Sequence, residues 1–337
     1  MLKFELFRKF TVRDLLGYCI SALLLWYTFH KSGLHLSDIR LKGDQWYFFA
    51  AAIAVFIFSL WLYSLRAKLI WVDETKKGIT LHTYSSLILG NFYNCILPGN
   101  LGEGVRALHF SRKNGVTFSR SLAAIITEKW LDAQVFGVLV VLLFITKPFM
   151  SHFISYCLAY MALIILVLSI IHLFMRRYRK VEKRLWRFVL YLKVVGKFFF
   201  KLYYHTNQHL SNMKRNGAIS SYILFFGLIF MLNVLQFFFL QKAAGISTPV
   251  AGFYSSFLIS LSMMIIAFIP SAPSNIGVLH YGVYSALILA ARQYGIEPNA
   301  PELQSYALFA IYVHLSFLLP EVTLGTIYLF KERKALF

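Results

Sequence analysis

Leu87-Ile88-Leu89-Gly90-Asn91-Phe92-Tyr93-Asn94-Cys95-Ile96-Leu97 is an apolar run that ends on Pro98-Gly99-Asn100-Leu101-Gly102-Glu103. Downstream, Ile265-Ile266-Ala267-Phe268-Ile269-Pro270 leads into Pro273-Ser274-Asn275-Ile276-Gly277. Each break reads Pro, a small residue, Asn, a branched aliphatic, Gly. Proline and glycine interrupt helices, and asparagine tolerates turn conformations. In a bilayer such interruptions persist only where protein or a wet cavity covers the freed backbone groups. Two of them in corresponding positions of two halves point to a transport site.

The rest of the composition agrees with a membrane setting. Only 14% of the 337 residues are charged and 58% are hydrophobic, against roughly a quarter charged in soluble domains. Repeated apolar runs of about 20 residues are long enough to cross a bilayer. The fold class is therefore all-α, a polytopic transmembrane helical bundle with two re-entrant, broken hairpins. The net charge of +20 lies in the loops between spans, which is the positive-inside pattern with anionic lipid as its partner and not a nucleic-acid footprint. Cys19, Cys95 and Cys157 are isolated in apolar segments and have neither metal nor disulfide spacing.

In order, helices are expected at about 15–29 and 46–65, followed by a first hairpin at 82–112. Crossings at 118–145 and 154–174 come next. Met1 to Phe10 has no small-residue cleavage site after its first span, so the first helix is expected to be retained. Basic flanks (Arg13 before the first helix, Arg66, Lys68, Lys76 and Lys77 after the second) place the N-terminus and that loop in the cytoplasm. Residues 176–215 interleave lysine and arginine with aromatics, which suits a helix lying on an anionic leaflet; an ordinary cytoplasmic connector is the alternative. The second half, 216–337, holds a crossing at 223–240, a second hairpin at 249–292, and a last helix at 303–330 that ends in Lys331-Glu332-Arg333-Lys334. With both termini cytoplasmic, one hairpin opens inward and the other outward, as an inverted-topology repeat of 1–175 and 216–337 requires. The whole chain, 1–337, reads as one integral membrane domain of the cell's inner (plasma) membrane.

Candidate chemistry sits near the breaks. Glu128 and Asp132 are one helical turn apart, on the order of 12–18 Å into the membrane if their helix starts near Arg120. Each unpaired charge there costs at least ~2.5 kcal/mol, so a basic partner, a proton or water is required. Arg106 and Lys129 are the nearest cations in sequence. A helix starting deeper would instead leave both acids at the headgroups. Glu103 and Arg106 share a face of the helix that begins after the first break. Arg106 could fork onto a phosphate at a helix N-terminus suited to anions, or simply pair with Glu103. Asn91, Asn94, Pro98, Gly102, Ser271, Ser274, Asn275 and His280 line the breaks. His314 and Glu321, seven apart in the last helix, share a face. Glu128, Asp132, His280, His314 and Glu321 are the candidates for carrying a coupling proton. No metal-ligand spacing, nucleotide loop or serine elbow occurs, so neither metal nor cofactor nor catalytic residue is expected.

Asn91, Pro98, Gly102, Glu103, Arg106, Glu128 and Asp132, followed by Ile269-Pro270-Ser271…Asn275-Ile276-Gly277, together resemble the lysylphosphatidylglycerol synthase transmembrane, flippase-like family over most of the chain. The resemblance implies that those residues occupy signature positions and that the substrate is a lipid. Two positions depart from the family pattern: Lys129 stands where arginine is usual, and His280 where a glutamate is usual. The soluble aminoacyl-transfer domain is also missing, so the chain alone is not expected to make lysyl-lipid.

The leading expectation is a flippase or transporter for an anionic phospholipid, aminoacylated phosphatidylglycerol included, or for a polyprenyl-phosphate-linked lipid. Two alternatives stand beside it. One is a polyprenyl-phosphate-dependent glycosyl- or acyltransferase in the membrane; the other is a non-catalytic partner subunit of a lipid synthase. The sequence leaves the oligomeric state open.

Overall fold

The structure is a computed structural model. It describes residues 12–41, 43–71, 79–97, 101–146, 193–266 and 271–336, with isolated positions between 166 and 191. Ten α-helices are found among the described residues: α1 Val12–Ser32, α2 Gln45–Lys68, α3 Ile79–Ile96, α4 Gly102–Asn114, α5 Phe118–Thr146, α6 Lys193–Arg215, α7 Ala218–Ala243, α8 Phe253–Ile266, α9 Val278–Gln293 and α10 Ala300–Leu336. Among the described residues four helical stretches are long and apolar enough to cross a membrane: Gln45–Trp71, Ala218–Ala243, Pro273–Gln293 and Ala300–Glu332.

Both interruptions fall between helices. Pro98 has no N–H and cannot extend α3, which stops at Ile96 before α4 begins at Gly102. At the second, a 3-10 turn at Pro273–Asn275 lies between α8 and α9 among the described residues. Two helix ends differ from expectation. Lys331 to Leu336 continue α10, because Lys, Glu, Arg, Ala and Leu are strong helix formers and no glycine or proline intervenes. Likewise α2 runs on to Lys68 and into a 3-10 turn at Leu69–Trp71, so Arg66 is a helical residue and not a loop residue. The expected crossing at 154–174, Pro98, Cys157 and the basic run 176–185 lie outside the described residues.

The chain forms two compact units that interleave in sequence. One takes Met1–Leu62, Leu87–Val105 and Leu228–Arg333; the other takes Tyr63–Ser86, Arg106–Gly227 and Lys334–Phe337. In the first unit α2 and α10 meet through edge-on aromatic pairs, Phe56–Phe317 at 4.9 Å and Phe49–Tyr312 at 5.6 Å between centroids. Gln236 of α7 donates to the Ser316 hydroxyl of α10 at 3.0 Å. Gln241, near the end of α7, accepts the Gly252 N–H at 2.8 Å, one of the donors left over ahead of α8.

The core of the second unit is Trp71 stacked on Phe110 at 4.6 Å, surrounded by Ile70, Ile79, Ala124, Met213 and Tyr222. Against it lies α6, which buries Leu202, His209 and Met213 and exposes Val194, Val195, Phe199 and Tyr204. That division of faces fits the amphipathic pattern of the sequence. His209 pins the helix. Its two ring nitrogens face the carbonyls of Ile70 (3.2 Å) and Arg120 (3.3 Å), and burial pushes the imidazole down to about 4 from its ordinary 6.5.

Candidate functional site

Within the second unit, four charged side chains from three helices form a closed network. Arg106 of α4 forks onto Glu128 of α5, with Nη1 to Oε1 at 3.0 Å and Nη2 to Oε2 at 2.8 Å. The Tyr63 hydroxyl of α2 donates to the same Oε1. One turn along α5, Asp132 receives Arg66 at 2.9 Å on Oδ1 and 3.0 Å on Oδ2. The Tyr222 hydroxyl lies 2.8 Å from Asp132 Oδ1 and 3.1 Å from the Glu128 carbonyl. The arginines are held near one another by an aromatic face: the Tyr63 ring lies 4.3 Å from the Arg66 guanidinium and 5.6 Å from that of Arg106. Its negative π-cloud offsets the repulsion between the two cations.

Arg66 is 2%, Arg106 5% and Glu128 1% exposed, so water does not carry these charges. Two cations balance two anions, and each carboxylate has a fork and a phenol. Such geometry is what lets a buried pair survive its desolvation. The network supplies the partners that the sequence required for Glu128 and Asp132. Of the two cations named for these acids, Arg106 and Lys129, Arg106 takes Glu128. Arg66, Tyr63 and Tyr222 were missed: Arg66 counted as a loop flank, and partners some 66 and 90 positions away leave no local signal.

Beside the Arg106–Glu128 pair lies a small open cleft. Its lining is mixed: apolar Ile70, Trp71 and Phe110 together with Thr83, Ser86, Ser121, Arg106 and Glu128. An ion pair and three hydroxyls among apolar side chains suit a small polar group attached to a greasy one.

The residues around the breaks gather in the first unit. Asn94 of α3 accepts the Gly102 N–H at 2.7 Å and so satisfies a free donor at the start of α4. One residue on, the Cys95 thiol donates to Glu321 Oε2 of α10 at 3.3 Å. The Asn91 side chain lies beside the same carboxylate, and Ser274 of the second break lies beside the Cys95 thiol. This closeness depends on Gly325, one turn after Glu321, where a β-carbon would collide with the Phe92 side chain. At the second break, Ser271 donates to the Asn275 side-chain oxygen at 2.6 Å. Ser274, Asn275 and Gly277 have φ of 56°, 54° and 83°. Two left-handed non-glycine residues in so short a span are strained, and such strain persists only where surroundings hold it. α1 does the holding. Ser21 Oγ accepts the Ala272 N–H at 2.9 Å, and Gly277 lies so close to the Ser21 carbonyl that no side chain fits there.

His280 Nδ1 accepts the Gly277 N–H at 3.3 Å and its Nε2 lies 3.4 Å from His314 Nδ1. In the neutral pair His280 therefore carries its proton on Nε2 and passes it toward His314. His314 and Glu321 share a helix, yet they serve different clusters. Glu103 sits in the first turn of α4. Among the described residues no group of three His, Cys, Asp or Glu is placed to hold a metal ion.

Neither curated proteins nor solved structures give a match. The family model described as "Lysylphosphatidylglycerol synthase TM region" matches residues 15–319. That stretch covers nine-tenths of the chain and contains the charged network, both breaks and the histidine pair, and so the chain belongs to the lysylphosphatidylglycerol synthase TM region family.

Proposed function

We propose that this multi-pass membrane protein of lipid metabolism or transport is a flippase-type transporter. Its substrate would be a lipid with a charged headgroup, either an anionic phospholipid (aminoacylated phosphatidylglycerol included) or a polyprenyl-phosphate-linked lipid. It would act in the inner membrane with both termini cytoplasmic, the segments 82–112 and 249–292 serving as re-entrant hairpins. The observation that carries this reading is the Arg106–Glu128 pair on the wall of the cleft. A phosphate entering the cleft competes with Glu128 for the Arg106 fork. A headgroup amine can then take the carboxylate, which Tyr63 still holds. Thr83, Ser86 and Ser121 offer oxygens to a glycerol or sugar hydroxyl, and the acyl or prenyl chain stays in lipid.

The closure of the network on itself favours one further reading, a non-catalytic partner subunit of a lipid synthase in which these pairs are structural. Reconstitution separates the two. Liposomes carrying the full chain receive headgroup-labelled phosphatidylglycerol, its lysyl derivative or a polyprenyl phosphate, and movement between leaflets is followed for wild type, Arg106→Lys and the triple variant Tyr63→Phe, Arg106→Met, Glu128→Leu, which takes both charges of the pair away together. Transport predicts protein-dependent movement that is lost in variants whose thermal unfolding stays close to wild type. No movement of any of the three lipids by wild type would overturn the flippase reading in favour of the subunit.

A further inference from the structure

We infer that Glu321 is the site of one exchangeable monovalent cation, a proton or an alkali ion, where the two interrupted segments meet. This rests on the transport reading only in calling that cation the coupling ion; the site itself stands on its own geometry.

The acids of this chain differ in how their charge is met. Glu128 and Asp132 each have an arginine, and the exposed Glu297 has Arg292. Glu321 has none among the described residues. Its carboxylate is met by the Cys95 thiol and the Asn91 side chain, with Ser274 behind the thiol. All three are neutral, and Cys95 is the sole titratable group facing it among those residues. On its own helix, His314 lies two turns back and is turned to His280. Glu321 stands roughly 16 Å along α10 from the end of the apolar stretch at Glu332, at a level where an uncompensated carboxylate is expensive.

The surroundings favour positive charge. Asn91 and Cys95 belong to the last turns of α3, the negative end of its dipole. Pro320, next to Glu321 in the helix, carries no N–H, so the Ser316 carbonyl loses the donor a proline-free helix would give it. Broken-helix C-terminal ends such as that of α3 are where transporters hold sodium ions or protons. The exchange balances simply. The carboxylic acid releases a proton to become the carboxylate, or it exchanges that proton for one alkali ion.

Infrared difference spectroscopy on the purified full chain tests this without any transport. Spectra are taken between about pH 5 and about pH 9, in sodium chloride or in choline chloride, for wild type, Glu321→Gln and Glu321→Asp. The expected result is a protonated-carboxyl band that comes and goes across this window in wild type, shifts in Glu321→Asp and is missing in Glu321→Gln. If sodium at fixed pH suppresses the band relative to choline, the site takes alkali ions; if the two salts agree, it takes protons only. A wild-type band pattern unchanged by Glu321→Gln in both salts would overturn the site. In liposomes, Glu321→Gln should lose the response of lipid movement to an imposed pH or sodium gradient. Failure of wild type to move any lipid would end the transport reading, while the infrared result would still decide the site.

Discussion

Glu128 can be removed from its site in two ways that physics treats differently. Glu128→Gln leaves the Arg106 guanidinium buried at 5% exposure without its counter-charge, and breaking a buried pair from one side costs about 3–5 kcal/mol. Removing both charges together, as Arg106→Met with Glu128→Leu, fills the same space with apolar groups and is close to neutral on the same grounds. The Tyr63 hydroxyl then loses its acceptor, a residual cost of about 1–3 kcal/mol. Adding Tyr63→Phe should recover most of that residual cost. Unfolding of the detergent-solubilised chain by rising sodium dodecyl sulfate, followed by helicity, gives the four stabilities. The expected order is wild type and triple variant highest, the double below them, and Glu128→Gln lowest. A Glu128→Gln variant within about 0.5 kcal/mol of wild type, the range of an ordinary surface change, would refute the burial argument. The triple variant also separates the two functional readings, because it should fold and yet move no lipid if the pair binds substrate.

Tyr222→Phe removes the hydroxyl beside Asp132 and the Glu128 carbonyl, and should cost about 1–3 kcal/mol in the same unfolding assay. Gly277→Ala places a β-carbon against the Ser21 carbonyl at φ 83°; lowered melting temperature and faster proteolysis near the second break are expected. His209 is folded as the neutral imidazole, its proton affinity lowered from 6.5 to about 4 by burial. The unfolded chain therefore binds the extra proton between those values, so stability is full above about pH 6.5 and falls as pH drops toward about 4, by on the order of 3 kcal/mol in all. His209→Gln should flatten that slope in an acid titration of helicity.

The helices, the two interruptions and the Glu128–Asp132 face were legible because each is a local pattern: apolar length, helix breakers, one-turn spacing. What the sequence hid was pairing over distance. A basic residue at the end of an apolar run reads as a cytoplasmic flank, and Arg66 satisfies that rule while sitting 2% exposed against Asp132. The two tyrosines that complete the network look like ordinary core aromatics until both phenols turn up on carboxylates. His314 and Glu321 show the opposite case. Their shared helix face was visible, but α9 supplies the partner of one and α3 that of the other, and nothing in the spacing separates those roles.

The second break is gripped from outside by backbone atoms and small residues. Ser21 meets Ala272 and Gly277, and Gly17 lies against the Ser271 main chain. A grip of that kind reads almost no side chain within the break. That grip therefore makes no demand on the other side chains of the segment, as long as positions 17, 21 and 277 stay small. The first helix acts as an interchangeable mount: truncating it or fusing a bulky tag into it disturbs the second break more than most substitutions made within the break itself.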